Sequence, residues 1–150
     1  GLPALKDCHL RIFRSFVKGR TFMETSRYDE MRLQADTIRQ ELSRVVAARA
    51  MNLLVGPNTF ANLKENPRRA FRLLSQAYGL IYAAQFARNT QGKPFITNEE
   101  TGNLLHELEK NDGLWDKERL LGREQTEGAL HNLATRIGKI FGVSLEDIKK

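Results

Sequence analysis

Eleven consecutive residues, Val45 to Val55, are apolar around nearly the whole circumference of a helix. A helix of that kind cannot lie on a surface. It must be surrounded, and a chain that contains it must build further helices to surround it. Gly56-Pro57 ends the segment, because proline removes a backbone donor and clashes with the preceding turn. Upstream the pattern is amphipathic. Tyr28, Met31, Ala35, Ile38, Leu42, Val45 and Leu53 form one stripe, while Arg32, Asp36, Arg39, Glu41 and Arg44 interleave at spacings of three or four. The spacing predicts one long helix from Arg27 to Leu54.

The rest of the chain repeats this grammar. A first helix is expected over Ala4 to Val17, with Pro3 at its start and Gly19 past its end. Leu5, Cys8, His9, Ile12, Phe13, Phe16 and Val17 give it a broad apolar arc, and that spacing places the phenylalanines in a core. Ser26, with Asp29 three residues on, is expected to cap the second helix. A helical turn is expected over Thr59 to Lys64, capped by Asn58. The third main helix starts at Asn66-Pro67, runs to about Arg88, and is expected to be central. Thr97 with Glu100 predicts a capping box for a fourth, to about Lys110. Leu114 to Leu121 and Gln125 to Phe141 read as further helix, and Ser144 as the cap of a last one. No period-2 strand is present. The expectation is a compact all-α bundle of five to seven helices without significant sheet, a single helical domain over 1–150 cut from a longer protein.

Several function classes fall away. The histidines His9, His106 and His131 are far apart, and His106-Glu107 lacks the second histidine of a zinc helix. Cys8 and His9 are neighbours, so they diverge by about 100° on a helix. There is no Walker loop, nucleophile elbow or GxGxxG, and Glu99, Glu100, Glu107 and Glu109 suit a solvated helix face. No catalytic residue, metal or cofactor is expected. No apolar run approaches the ~20 residues of a membrane span. The single cysteine fits a reducing, cytoplasmic compartment.

Charge points toward a partner. Residues 1–95 hold 16 Lys+Arg against 7 Asp+Glu, and residues 96–150 hold 8 against 11. The uncompensated cations fall mainly in two groups: Arg11, Arg14, Lys18 and Arg20 on and just past the first helix, and Lys64, Arg68, Arg69 and Arg72 around the start of the third. Cations at a helix N-terminus oppose its dipole, and an anion there would meet free backbone N–H groups. Both groups are candidate phosphate contacts, and charge reversal at Arg68 and Arg69 should weaken such binding far more than reversal at Arg119 and Arg123.

Arg136 to Lys150 reads R-I-G-K-I-F-G-V-S-L-E-D-I-K-K. Residues 136–150 resemble a helix-turn-helix of bacterial DNA-binding families, which often read I-A-x-x-F-G-V-S-x-x-x-I, and a similar run in phage-repressor-like proteins. The resemblance implies Gly142 in the turn, Val143 packed and Ser144 capping a DNA-reading helix. Gly138 departs from the usual alanine, and Glu146 and Asp147 would bring acid toward phosphate. Two readings result. In one, the chain is a non-catalytic module whose basic N-terminal two-thirds contacts DNA or RNA. In the other, it is a helical protein–protein interaction domain that meets an acidic partner or forms a homodimer.

Overall fold

A computed structural model describes residues 2–123 and 127–149. Among these residues it holds seven α-helices of five residues or more. The helices are α1 (Cys8–Glu24), α2 (Tyr28–Val55), α3 (Pro57–Glu65), α4 (Pro67–Ala84), α5 (Asn98–Glu109), α6 (Lys117–Leu121) and α7 (Ala129–Phe141). A four-residue α8 (Glu146–Lys149) follows, and 3-10 turns stand at Pro3–Leu5 and Gly113–Trp115. The all-α expectation holds: among the described residues there is no strand, only one isolated bridge between Arg88 and Pro94. No described helix is long and apolar enough to cross a membrane.

The centre is the apolar end of α2, with the third main helix, α4, packed along it. Ala47, Ala48, Ala50, Met51, Leu53, Leu54 and Val55 are all buried there. The alanines admit close neighbours, and Met51 and Leu54 fill the space between them. From α4 come Leu74, Ala77, Ile81 and Ala84, from α5 Leu104 and Leu108, and from α7 Leu130, Leu133, Ile137 and Phe141. Ile148 of α8 and Leu120 of α6 close the periphery. α4 returns along α2: its Leu73 lies with Leu53 and Thr59, and its Ala84 lies with Ala47.

Two start signals work as the sequence implies. Asn66 accepts a hydrogen bond from the Arg69 N–H at 3.2 Å, with Pro67 as the first helical residue. Thr97 and Glu100 form a reciprocal capping box on α5. Other boundaries differ. Gly19 does not end the first helix, which continues to Glu24 because α2 packs alongside it and overrides the local cost of about 1 kcal/mol for glycine. Ser26 does not cap α2: it takes a left-handed φ of 56°, turning the chain, and Arg27 holds the cap position without a side-chain bond. Gly56 precedes α3 in place of Asn58, and the chain past Leu114 splits into a 3-10 turn and α6. The helix expected from Gln125 starts at Ala129, its first two expected residues lying outside the described ones.

The residues that resemble a helix-turn-helix do make a turn. Gly142 adopts φ 64°, and Val143 is buried. Glycine at 138 has a packing cause, since a Cβ there would lie 2.6 Å from the Val143 carbonyl oxygen and 3.0 Å from Met51 Cε. α8 opens at Glu146, one residue later than a Ser144 cap would have it, and buries Ile148.

The two halves of α2 should therefore differ sharply in tolerance. Leu54→Ala is expected to cost about 2–5 kcal/mol, and Leu33→Ala on the exposed half about 0.5 kcal/mol or less, read by urea denaturation.

Candidate functional site

Among the described residues α2 is the main packing partner of α1, and the two form an antiparallel hairpin of residues 8–44 that joins the body through α2 and, just ahead of Cys8, through the 3-10 turn Pro3–Leu5. Its contact line is narrow. Only Cys8 and Ser15 of α1 are buried, and the first thirteen residues of α2 bury none. One ionic node ties the hairpin's base. Arg11 donates to the Glu41 carboxylate at 2.9 Å, Arg44 lies 3.6 Å from its other oxygen, and the Cys8 thiol points at the Glu41 carbonyl. The Glu41 side chain is only 10% exposed. Burial pushes its carboxyl up, but the Arg11 hydrogen bond and the surrounding cations outweigh it and hold the group below its ordinary value. Burial also pushes the Cys8 thiol up, so it stays protonated and unreactive at neutral pH.

The phenylalanines expected in the core are not there. Phe13 is 65% and Phe16 61% exposed, and Val17, Met23, Tyr28 and Leu42 are each at least half exposed. Between the helices lies an open groove of about 260 Å³. Phe16, Gly19 and Met23 form one wall, and Met31, Ala35 and Ile38 the other. Helical spacing extends the second wall to Tyr28 and Leu42 and the first to Phe13, whereas Val17 is about 100° round from Phe16 and lies off the groove. Leu33 lies on the opposite side of α2. At about 200 Å² per aromatic side chain, Phe13, Phe16 and Tyr28 alone leave about 350 Å² of ring surface in solvent. With Met23 and Leu42 added, the face reaches the upper part of what an ordinary monomer shows as its largest patch, roughly 300–600 Å².

The predicted basic residues do not form one patch. Arg11 is engaged by Glu41, and Arg20 lines the groove and pairs with Glu24 at 2.9 Å. Arg14 and Lys18 are exposed on the flank opposite the groove and have no ion pair among the described residues. Lys64, Arg68, Arg69 and Arg72 form the second group, all exposed and likewise without an ion pair among the described residues. The two groups are at different levels. The hairpin groove reaches Ile38, whereas the start of α4 lies beyond Leu53, about 22 Å further along α2 at 1.5 Å per residue. At the α4 start, Pro67 has no N–H, and Asn66 already takes those of Arg69 and Ala70. The free backbone donors expected there are largely used, so the positive field comes from the side chains. Beside them Phe71 stacks on Trp115, with ring centroids 4.9 Å apart and planes 17° from parallel.

The family model for the domain of unknown function DUF4856 matches residues 4–144. The chain belongs to the DUF4856 family. The hairpin, its groove and both basic groups fall inside the matched DUF4856 unit, whereas α8 falls outside it. Among curated proteins and among solved structures, nothing matches the chain.

Sequence reasoning missed two residues of this DUF4856 domain. Glu41 read as one of several surface charges, and only the fold shows it buried. Arg119 read as a dispensable surface cation. In the structure its guanidinium donates to the carbonyls of Glu107, Leu108 and Gly113, closing the end of α5. Charge reversal there would break the fold, so Arg119 cannot serve as a neutral control. Among the described residues, no three His, Cys, Asp or Glu side chains are placed to hold a metal.

The Glu41 node should show in stability. A carboxyl held below its ordinary value of 4.5 stabilises the fold fully above the ordinary range, and that stability is lost as pH falls through the lowered native value. Glu41→Gln is expected to cost about 1–3 kcal/mol at pH 7. Urea denaturation of wild type and variant from pH 7 to pH 3 should show the two curves converging toward the acid end.

Proposed function

We propose that this DUF4856 domain is a helical protein-interaction module, and that the groove face of the α1–α2 hairpin takes up helices from a partner. The observation that supports it is the exposed set Phe13, Phe16, Met23, Tyr28 and Leu42 on α1, whose main packing partner is α2, and on the half of α2 that buries no side chain before Glu41. Such a set is costly to leave in water, at about 25 cal/mol per Å² of apolar surface. The open walls have the spacing that receives a helix in a groove. The partner meets these walls first, and the cations Arg14 and Lys18 on the far flank remain free for a second contact. The free, buried Cys8 suits a reducing compartment such as the cytoplasm.

A second reading has its own observation. The Phe71–Trp115 stack stands beside the unpaired Arg68 and Arg72, which is the combination of ring platform and cation that single-stranded nucleic acids use. It predicts DNA or RNA binding that weakens steeply with salt.

Photo-crosslinking separates the two. A benzoyl-phenylalanine at Phe16 is expected to form an adduct with a polypeptide, and the same group at Arg72 is expected to form none. No polypeptide adduct from position 16, together with a salt-sensitive nucleic-acid adduct from position 72, would overturn the first reading in favour of the second.

A further inference from the structure

We infer that the occupant of the groove is the same hairpin of a second copy of this chain, so that two hairpins pack face to face as a four-helix bundle. The inference rests on the interaction reading above and names its partner.

The periodicity of the walls points to a bundle. Tyr28, Met31, Ala35, Ile38 and Leu42 follow one another at alternating steps of three and four, the spacing of a coiled-coil seam. On α1, Phe13, Phe16, Arg20 and Met23 keep the same steps. A two-helix hairpin with such a seam open on one side is half of an antiparallel four-helix bundle. A second copy supplies a matching seam about a two-fold axis, where each surface serves as its own complement.

Charge selects this occupant. All five acidic residues of the hairpin are in ion pairs with its own arginines. Around the groove the pairs are Arg20 with Glu24, Arg27 with Glu30, Arg32 with Asp29 and Arg39 with Asp36. Exposed pairs of this kind add little stability, but they leave the rim with no net charge. A rim without net charge gives an acidic or basic partner no electrostatic preference and removes the repulsion between two identical faces. The hairpin's unpaired cations, Arg14 and Lys18, lie on the opposite flank and point away from the dyad.

Size sets the strength. Helices of about 17 residues run about 25 Å, and two lie side by side across about 20 Å. Covering both faces buries on the order of 1,000 Å² in total, at the low end for a specific interface. The dimer should therefore be reversible, with a Kd on the order of micromolar.

Sedimentation velocity of the full chain from about 1 to 200 µM tests this, alongside fluorescence of the apolar probe ANS. Phe16→Glu and Leu42→Glu alter exposed side chains, and circular dichroism checks that the fold survives. Arg14→Glu serves as the control. The expected result is a concentration-dependent dimer whose Kd rises about thirty-fold or more in either groove variant and little in the control. ANS binding should be low in the dimer and rise on dilution. A dimer indifferent to both groove variants would overturn the inference. So would a wild-type monomer at 200 µM that binds ANS and loses it in Phe16→Glu, but that result leaves the interaction reading standing. A monomer without ANS binding overturns both.

Discussion

Burial of the C-terminal half of α2 is the interaction on which the rest depends. Ala47, Ala48 and Ala50 let α4 and α7 approach the backbone, and Met51 and Leu54 fill the space that remains. Gly138 of α7 is part of this fit, because its missing Cβ leaves room for Met51. A 28-residue helix is not held by propensity alone, and most of its stability comes from such packing. The exposed half of α2 is continuous with the buried half. The orientation of the hairpin is therefore set by contacts up to 25 residues away along one rigid element. Glu41 marks the boundary, where the last ionic node of the hairpin meets the first residues of the core.

The charge imbalance of the chain resolves along the same helix. Within α2 most arginines sit one turn from a carboxylate and are paired with it. Much of what remains positive stands at two separate levels, on the far flank of α1 and at the start of α4. A net charge read along the sequence sums over both and suggests a single basic face. The fold sets these two groups too far apart for a short ligand to span.

The helical class was legible because periodicity and caps agree. Asn66-Pro67 and Thr97 with Glu100 each need only neighbours in sequence to act. Gly19 and Ser26 misled for a related reason: their local preferences are real, but α2 packing against α1 outweighed them. The groove was hidden more deeply. An apolar stripe such as Phe13, Phe16 and Val17 shows that a helix has a face to cover and says nothing about what covers it. In the sequence that face is indistinguishable from the stripe of α7, whose Leu133 and Ile137 are covered by the chain's own helices. Arg119 was illegible for a different reason. Its partners are backbone carbonyls eleven and twelve residues away on α5, which no side-chain pattern reports.

The hairpin and the core also differ in what holds them. The buried half of α2 is enclosed by α4, α7 and α8, whereas among the described residues α1 packs mainly on α2 and buries two side chains. Isolated helices of this length are marginal in water. The ion pairs along the hairpin are exposed and individually weak. Away from the Glu41 node, the tip that carries Met23 and Tyr28 therefore has the least internal support. These are also side chains of the open face. A contact made at the groove adds apolar burial where the chain itself supplies least, and in doing so it orders the tip. Association and hairpin stability are then coupled through the same side chains, and the body around Met51 and Leu54 provides a fixed base against which that coupling acts.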